Sequence, residues 1–473
     1  MGMIDMKKLI SVFLIIVLLM YALPCGSVFA TEADFVVEDG VLKAYNGTAT
    51  AVTIPSAVTS IADRAFKGNT KLTSVSIHSG VVSIGNESFY GCTSLKTVSG
   101  ASGVTYVGAL AFVNTSFLNN STSQFVTVGK VLVHYNDTQA SVTTPSNVCT
   151  IAPYAFLRNT KLTSINISNN ITTIGEGAFY ECTALSNVTC ADSVTYIGAD
   201  AFAYTKWLSS QSDFVVLGDD LLVAYKGVGT DVAIPKTVKQ VAPNAFYKNK
   251  SIAKVTVPST VFAIGERAFL GCTALKKLSL PDGLKLINDE AFADCSSLES
   301  FVFPDTLSKI GKGAFLNCTS LEQVTLNADN LDIGYGAFAY CTALKYAMFS
   351  DTVAKIGEYA FEGDTSLLYA TIPSSIIGIS LNSFYGCTEL VVICDDDSFA
   401  SSVLQDSFVL SHNRGDADMD GELTIIDATA IQMHLVNTKP LAFIATPFAD
   451  ADFDARISVL DATHVQRVLV GLI

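Results

Sequence analysis

One run of twelve residues rich in carboxylates occurs twice near the C-terminal end, 34 positions apart. The first copy reads Asp416-Ala-Asp418-Met-Asp420-Gly421-Glu422-Leu-Thr424-Ile-Ile-Asp427, the second Asp450-Ala-Asp452-Phe-Asp454-Ala455-Arg456-Ile-Ser458-Val-Leu-Asp461. Carboxylates at run positions 1, 3, 5 and 12, with a hydroxyl at 9, form the oxygen-rich set that a hard cation such as Ca²⁺ requires. Position 7 contributes only its backbone carbonyl, so Glu422 and Arg456 are both admissible there. A solvated acidic turn would explain one such copy; two copies in the same register favour a pair of Ca²⁺ sites. Ala455 replaces the glycine that the sharp turn at position 6 prefers, so the second site is expected to be the weaker.

These ligands need elements to hold them. Ile431 and Leu435 after the first run, and Val465 and Leu469 after the second, have the i, i+4 spacing of one helix face. Each unit is therefore a loop followed by one helix, and the two can pack about a pseudo-twofold axis. Duplicated Asp-rich loops of this spacing resemble a dockerin, here over residues 411–473. That resemblance implies a small all-α calcium-binding module of two loop-helix units that docks onto a cohesin domain of a scaffoldin in a cellulosome-type assembly. It implies cohesin contact through Ile425, Ile426, Gln432, Met433, Val459, Leu460, Gln466 and Arg467. The pairs Ile425-Ile426 and Val459-Leu460 are apolar where many dockerins carry small hydroxyl residues, which leaves the cohesin type open.

At the other end, Lys7-Lys8, the apolar run 9–23 and the small residues ending Val28-Phe29-Ala30 have the form of a secretory signal peptide over residues 1–30. Export to the extracellular side is the expectation, and no later stretch is long and apolar enough to span a bilayer. The net charge is −15; without Asp5, Lys7 and Lys8 it becomes −15 − 1 = −16. An acidic chain without basic clusters argues against nucleic acid as a partner.

Between these ends the chain is periodic. Phenylalanines at 66, 89, 112, 156, 179, 202, 246, 269, 292, 315, 338, 361 and 384 are separated by ten steps of 23 residues and two of 44. One unit reads Ile264-Gly-Glu-Arg-Ala-Phe269-Leu-Gly-Cys272-Thr-Ala-Leu275-Lys-Lys-Leu278-Ser-Leu280. A period of 20–29 with an L-x-x-L-x-L segment is a leucine-rich-repeat signature. The Ile-Gly-x-x-Ala-Phe-x-x-Cys-Thr-x-Leu pattern resembles the BspA-like class of bacterial surface proteins, over about residues 50–394. The resemblance implies a repeat solenoid, with the leucine segment as a short parallel strand. Segments from Phe35 to Tyr45, Phe125 to Tyr135 and Phe214 to Tyr225 alternate about a glycine-containing turn and predict β-hairpin insertions, which account for the 44-residue steps. With a C-terminal cap over 395–410, the solenoid is expected to span 31–410.

Seven cysteines lie three residues after a repeat phenylalanine: Cys92, Cys182, Cys272, Cys295, Cys318, Cys341 and Cys387. Asn69, Thr115, Asn159, Thr205, Asn249 and Asp364 fill that column in the other repeats. Such exchange marks a packing and turn position, so buried free thiols are expected rather than disulfides.

No zinc-protease, Ser-His-Asp, phosphate-loop or nucleophile-elbow pattern occurs, and no segment is left over for a catalytic domain. Trp207 lies five residues after Phe202, as Phe117 lies after Phe112, and is read as core. On the strand face, Tyr346, Met348 and Tyr369 form a candidate contact patch against a background of small polar residues. The chain reads as a secreted, non-catalytic binding or adhesion protein whose solenoid recognises a protein or glycan. The alternative is a dockerin-borne polysaccharide-degrading enzyme.

Overall fold

The computed structural model describes residues 30–190, 193–218, 220–350, 352–394, 398–405, 407–411, 425–436, 449, 451 and 457–470. The chain divides into two compact units, Met1–Ser209 and Ser210–Ile473.

In the first unit the coil begins with the predicted hairpin, Phe35–Glu38 against Val41–Tyr45. Each later coil places a two-residue strand beside its predecessor: Ser60–Ile61, Ser83–Ile84 and Tyr106–Val107. A second parallel ladder runs through Ala51–Thr53, Ser74–Ile77 and Thr97–Gly100. This second ladder contains the leucine segments; the first, at the Ile-Gly positions, was not anticipated. Partners such as Ile61 and Ile84 are 23 residues apart, so the sequence period is the length of one coil. The arrangement then recurs, with hairpin Phe125–Val128/Val131–Tyr135, one ladder at 150–151, 173–174 and 196–197, and the other at 141–143, 164–167 and 187–190.

Rings stack along the inside. Tyr45, Phe66, Phe89 and Phe112 follow at centroid distances of 5.1, 4.8 and 5.2 Å, and Phe117 on the short helix Ser116–Asn119 closes the stack at 5.4 Å. Tyr135, Phe156, Phe179 and Phe202 repeat this, closed by Trp207 at 4.8 Å. The 44-residue step is thus a terminating helix followed by an initiating hairpin. Trp207 is buried, as a core residue. Each aromatic pair adds roughly 0.5–1.5 kcal/mol beyond the burial of its area. The Ile-Gly glycine is needed because coils approach closely there: a Cβ on Gly85 would lie 2.5 Å from the Asp63 backbone nitrogen.

The second unit starts with hairpin Phe214–Leu217/Leu221–Tyr225 and carries one uninterrupted ladder through Gln240–Val241, Ala263–Ile264, Leu286–Ile287, Lys309–Ile310, Asp332–Ile333 and Lys355–Ile356. Its other ladder is broken. Asp231–Ala233, Lys254–Thr256 and Lys277–Ser279 form one sheet, and Gln323–Leu326, Tyr346–Phe349, Tyr369–Thr371, Val391–Ile393 and Val409–Ser411 another. In the coil between them, Phe301 and Phe303 take the places of Leu278 and Leu280 one period earlier. Both rings turn toward Phe315, at 5.7 and 5.4 Å, and no strand forms there. The last rung reaches Ser411, after helix Phe399–Leu404.

The thiols behave as a packing column. The seven column cysteines are free thiols. Cys92, Cys182, Cys272 and Cys318 each donate Sγ–H to the repeat-phenylalanine carbonyl of the preceding coil, at 3.0, 2.9, 3.1 and 3.3 Å. Burial pushes the Cys92 and Cys182 thiols up to about 11 and that of Cys272 to about 12.

Candidate functional site

The two C-terminal helices, Ile425–Leu435 and Val459–Leu469, pack on each other around Ala428, Ile431, Ala449, Ala451, Ala462 and Val465, all fully buried. Ala428 and Ala462, and Ile431 and Val465, are pairs 34 positions apart, so the sequence duplication is also a duplication of core contacts. The helices begin where loop position 9 ends. Ser458 caps the second with its Oγ, accepting from Leu460 N–H at 3.0 Å.

Position 12 of each loop is a carboxylate without solvent exposure, Asp427 and Asp461. Asp461 Oδ1 accepts from Ala451 N–H at 2.8 Å, and Oδ2 from Ser458 N–H at 2.6 Å. Position 12 is thereby tied to positions 2 and 9 of its own loop. A carboxylate withdrawn from water is costly unless amides or a cation compensate it, and this donor chemistry fits Ca²⁺. Of the predicted ligands, Asp427, Ser458 and Asp461 are within the described residues; Asp416, Asp418, Asp420, Glu422, Thr424, Asp450, Asp452, Asp454 and Arg456 lie outside them. Among the described residues, no group of three or more His, Cys, Asp or Glu is placed to hold a metal ion.

The helix starts are apolar and exposed. Ile425, Ile426, Val459 and Leu460 are each 57–65 % exposed, and Met433, Gln432 and Arg467 are exposed beside them, with Gln466 half-buried. Each helix start thus leaves a pair of large aliphatic side chains in water.

The proposed patch on the strand face needs correction. Tyr346 is 3 % exposed and Met348 8 %, while Tyr369 is half-buried. The Tyr346 ring stacks on that of Tyr369 with centroids 6.1 Å apart, and Tyr369 packs against Ile393. Bulky side chains on adjacent rungs shield one another, so these residues form a packed cluster and not a free contact surface. A group of exposed tyrosines lies instead at a turn edge. Tyr335, Tyr340 and Tyr385 are 43–61 % exposed, and Tyr359 lies between Tyr335 and Tyr385 at 5.3 and 6.2 Å. Tyr340 donates its hydroxyl to Glu362 Oε1 at 2.8 Å. These tyrosines flank the repeat phenylalanine at turn positions whose residue types vary from coil to coil, so their sequence carries little signal.

With coil length, ring stack and thiol column in place, the comparisons with known proteins are decisive for the family. Residues 43–131, 133–212, 225–345, 264–391 and 332–434 match the BspA type leucine rich repeat region. The chain belongs to that family. Among solved structures, a leucine-rich repeat protein of Eubacterium ventriosum is 22% identical, with 73% of this chain and 88% of that one covered and a TM-score of 0.37. The T. pallidum leucine rich repeat protein is 31% identical over 36% of this chain and 72% of that one, with a TM-score of 0.29. A leucine rich cell surface protein of Faecalibacterium prausnitzii is 22% identical, covering 80% and 98%, with a TM-score of 0.28. No curated protein matches the chain. Among the described residues, no helix of this BspA-type chain is long and apolar enough to cross a membrane.

Proposed function

We propose that this BspA-type protein is an exported, non-catalytic binding or adhesion protein. In this reading its leucine-rich repeats recognise a protein or glycan, and its C-terminal loop-helix pair attaches it to a scaffoldin cohesin in a Ca²⁺-dependent way. The observation that carries the attachment is the pairing of two features in each unit. A buried carboxylate closes the loop, Asp427 or Asp461, and an exposed apolar pair opens the helix, Ile425-Ile426 or Val459-Leu460. Ca²⁺ would draw the loop carboxylates together and set both helix starts in one orientation; without the ion, clustered carboxylates repel one another. The dockerin resemblance of the duplicated loops points the same way. No zinc-protease, Ser-His-Asp, phosphate-loop or nucleophile-elbow motif in the sequence favours the polysaccharide-degrading alternative.

Calorimetric titration of the mature chain with Ca²⁺ tests the first step. Two sites are expected, the second weaker, and Asp461→Asn is expected to weaken one of them. A chain that takes up no Ca²⁺ overturns the attachment reading. Recognition by the repeats is tested by presenting the chain to a panel of immobilised glycans and extracellular proteins, and retention of none of them overturns it.

A further inference from the structure

Within the first unit the two groups of coils meet along one side. There Lys130 N–H donates to Val104 O at 2.8 Å and Thr150 Oγ1–H to Thr105 O at 2.9 Å. Away from these bonds, a cleft of about 430 Å³ opens between the last coil of the first group, its terminating helix and the second hairpin. It exists because a helix and a hairpin interrupt the 23-residue stacking at this point. The volume falls within the ordinary range of small-ligand sites, roughly 300–1,000 Å³.

Two lining residues are not explained by the repeat. His134 pairs with Val126 in its hairpin, as Ala44 pairs with Val36 and Ala224 with Val215 in the other two. Only this copy places an imidazole there, and it has no hydrogen-bond partner among the described residues. Tyr154 adopts φ 61° two residues before Phe156, where the third group has Asn244 at φ 60°. Its hydroxyl donates to Glu176 Oε1 at 2.6 Å, leaving the ring along the cleft. Asn114, Asn119 and Asn136 complete the polar lining, and no Asp, Glu, Lys or Arg belongs to it. Burial holds His134 below the ordinary histidine range, so the lining is uncharged at neutral pH.

We propose that this cleft binds a neutral saccharide, one or two sugar units in size. Each amide has an acceptor and at least one N–H for neighbouring hydroxyls, the Asn136 amide having already given one N–H to Ser121 O; the neutral imidazole offers one of each, and the tyrosine ring gives an apolar face for sugar C–H groups. An uncharged extended peptide is the poorer fit. Peptide addition needs an open strand edge. The strand carrying His134 is bonded to Phe125–Val128 on one side, and on the other to Thr150–Ile151 and, through Tyr135 N–H, to Ala155 O at 2.9 Å.

The assignment rests on the recognition reading given above and deepens it. Its test is saturation-transfer NMR of the full mature chain with glucose, galactose, N-acetylglucosamine, cellobiose and lactose. Galacturonic acid and a Gly-Ser hexapeptide serve as counter-probes. At least one neutral sugar is expected to bind, and the charged acid and the peptide are not. Affinity for that sugar is expected to fall at least about tenfold in His134→Ala and in Tyr154→Asn. Both substitutions import the residue of the third group, so the fold, followed by circular dichroism, is expected to persist. Unchanged sugar binding in both variants overturns the cleft while leaving the recognition reading standing. So does competition by the peptide. If no neutral probe binds, the cleft assignment falls, and the glycan and protein panel decides separately whether recognition falls with it.

Discussion

Replacing Asp364 by asparagine is expected to stabilise the fold at neutral pH. Asp364 occupies the thiol column between Cys341 and Cys387 and is fully buried. Its Oδ1 accepts from Cys341 N–H at 2.7 Å, but its Oδ2 has no hydrogen-bond partner. Burial, reinforced by the neighbouring Cys341 thiol, outweighs that one amide and raises the carboxyl well above its ordinary range. A group whose folded-state value is raised gives its full contribution below the ordinary carboxyl range. That contribution is then lost as pH climbs toward the folded-state value. Across that window the slope is about 1.4 kcal/mol per pH unit. Asparagine keeps the acceptor for Cys341 N–H, adds a donor and does not ionise. The unsatisfied buried oxygen alone costs about 1–3 kcal/mol, and a gain of at least that order is expected for Asp364→Asn at pH 7. Asp364→Cys, which continues the column, is expected to gain similarly. Denaturant unfolding of wild type and variant from pH 4 to 7, followed by circular dichroism, measures the difference. The gap is expected to widen with pH and to shrink toward pH 4. A constant gap, or a variant less stable than wild type at pH 7, would refute the reasoning.

Other consequences follow from the same coils. Under native conditions at pH 8, an alkylating reagent is expected to reach Cys149 and Cys190, both half-buried, before the seven column thiols, which are buried away from the reagent; mass spectrometry with and without denaturant reads the order. Phe292→Ala, in the middle of the ring stack with neighbours at 5.0 and 5.2 Å, is expected to cost about 3–5 kcal/mol. Arg267→Ala removes a 2.7 Å ion pair with Glu290 at the surface and is expected to cost less than about 1 kcal/mol. Thermal unfolding of both variants checks the contrast.

Much of the fold is legible because one coil equals one sequence period. The phenylalanine spacing, the hairpins and the thiol column all appear as residue identities at fixed offsets, and Trp207 is placed by analogy with Phe117. The Ile-Gly ladder was missed because two-residue strands such as Ser83–Ile84 carry too short an alternation to register as period two. The broken ladder at Phe301 and Phe303 follows from ring volume, visible only once Leu278 and Leu280 are known to share their column. Tyr346 and Met348 were misjudged because alternation predicts which way a side chain leaves the strand, not what then packs over it. The cleft was missed for a related reason: it is made by an interruption of stacking, and its histidine is one residue in a strand. For the C-terminal pair, the duplicated offsets were enough to place the two helices; the burial of Asp427 and Asp461 depends on tertiary packing and is seen only in the structure.

The central claim is that the duplicated loop-helix pair attaches a recognition solenoid to a cohesin. Calorimetric titration of the full mature chain with a panel of cohesins, in Ca²⁺ and again in chelator, tests it most directly. The account predicts tight binding to at least one cohesin in Ca²⁺, lost in chelator and lost when Ile425, Ile426, Val459 and Leu460 are all replaced by serine. Binding to none of the cohesins, or binding that ignores both chelator and substitution, would contradict it.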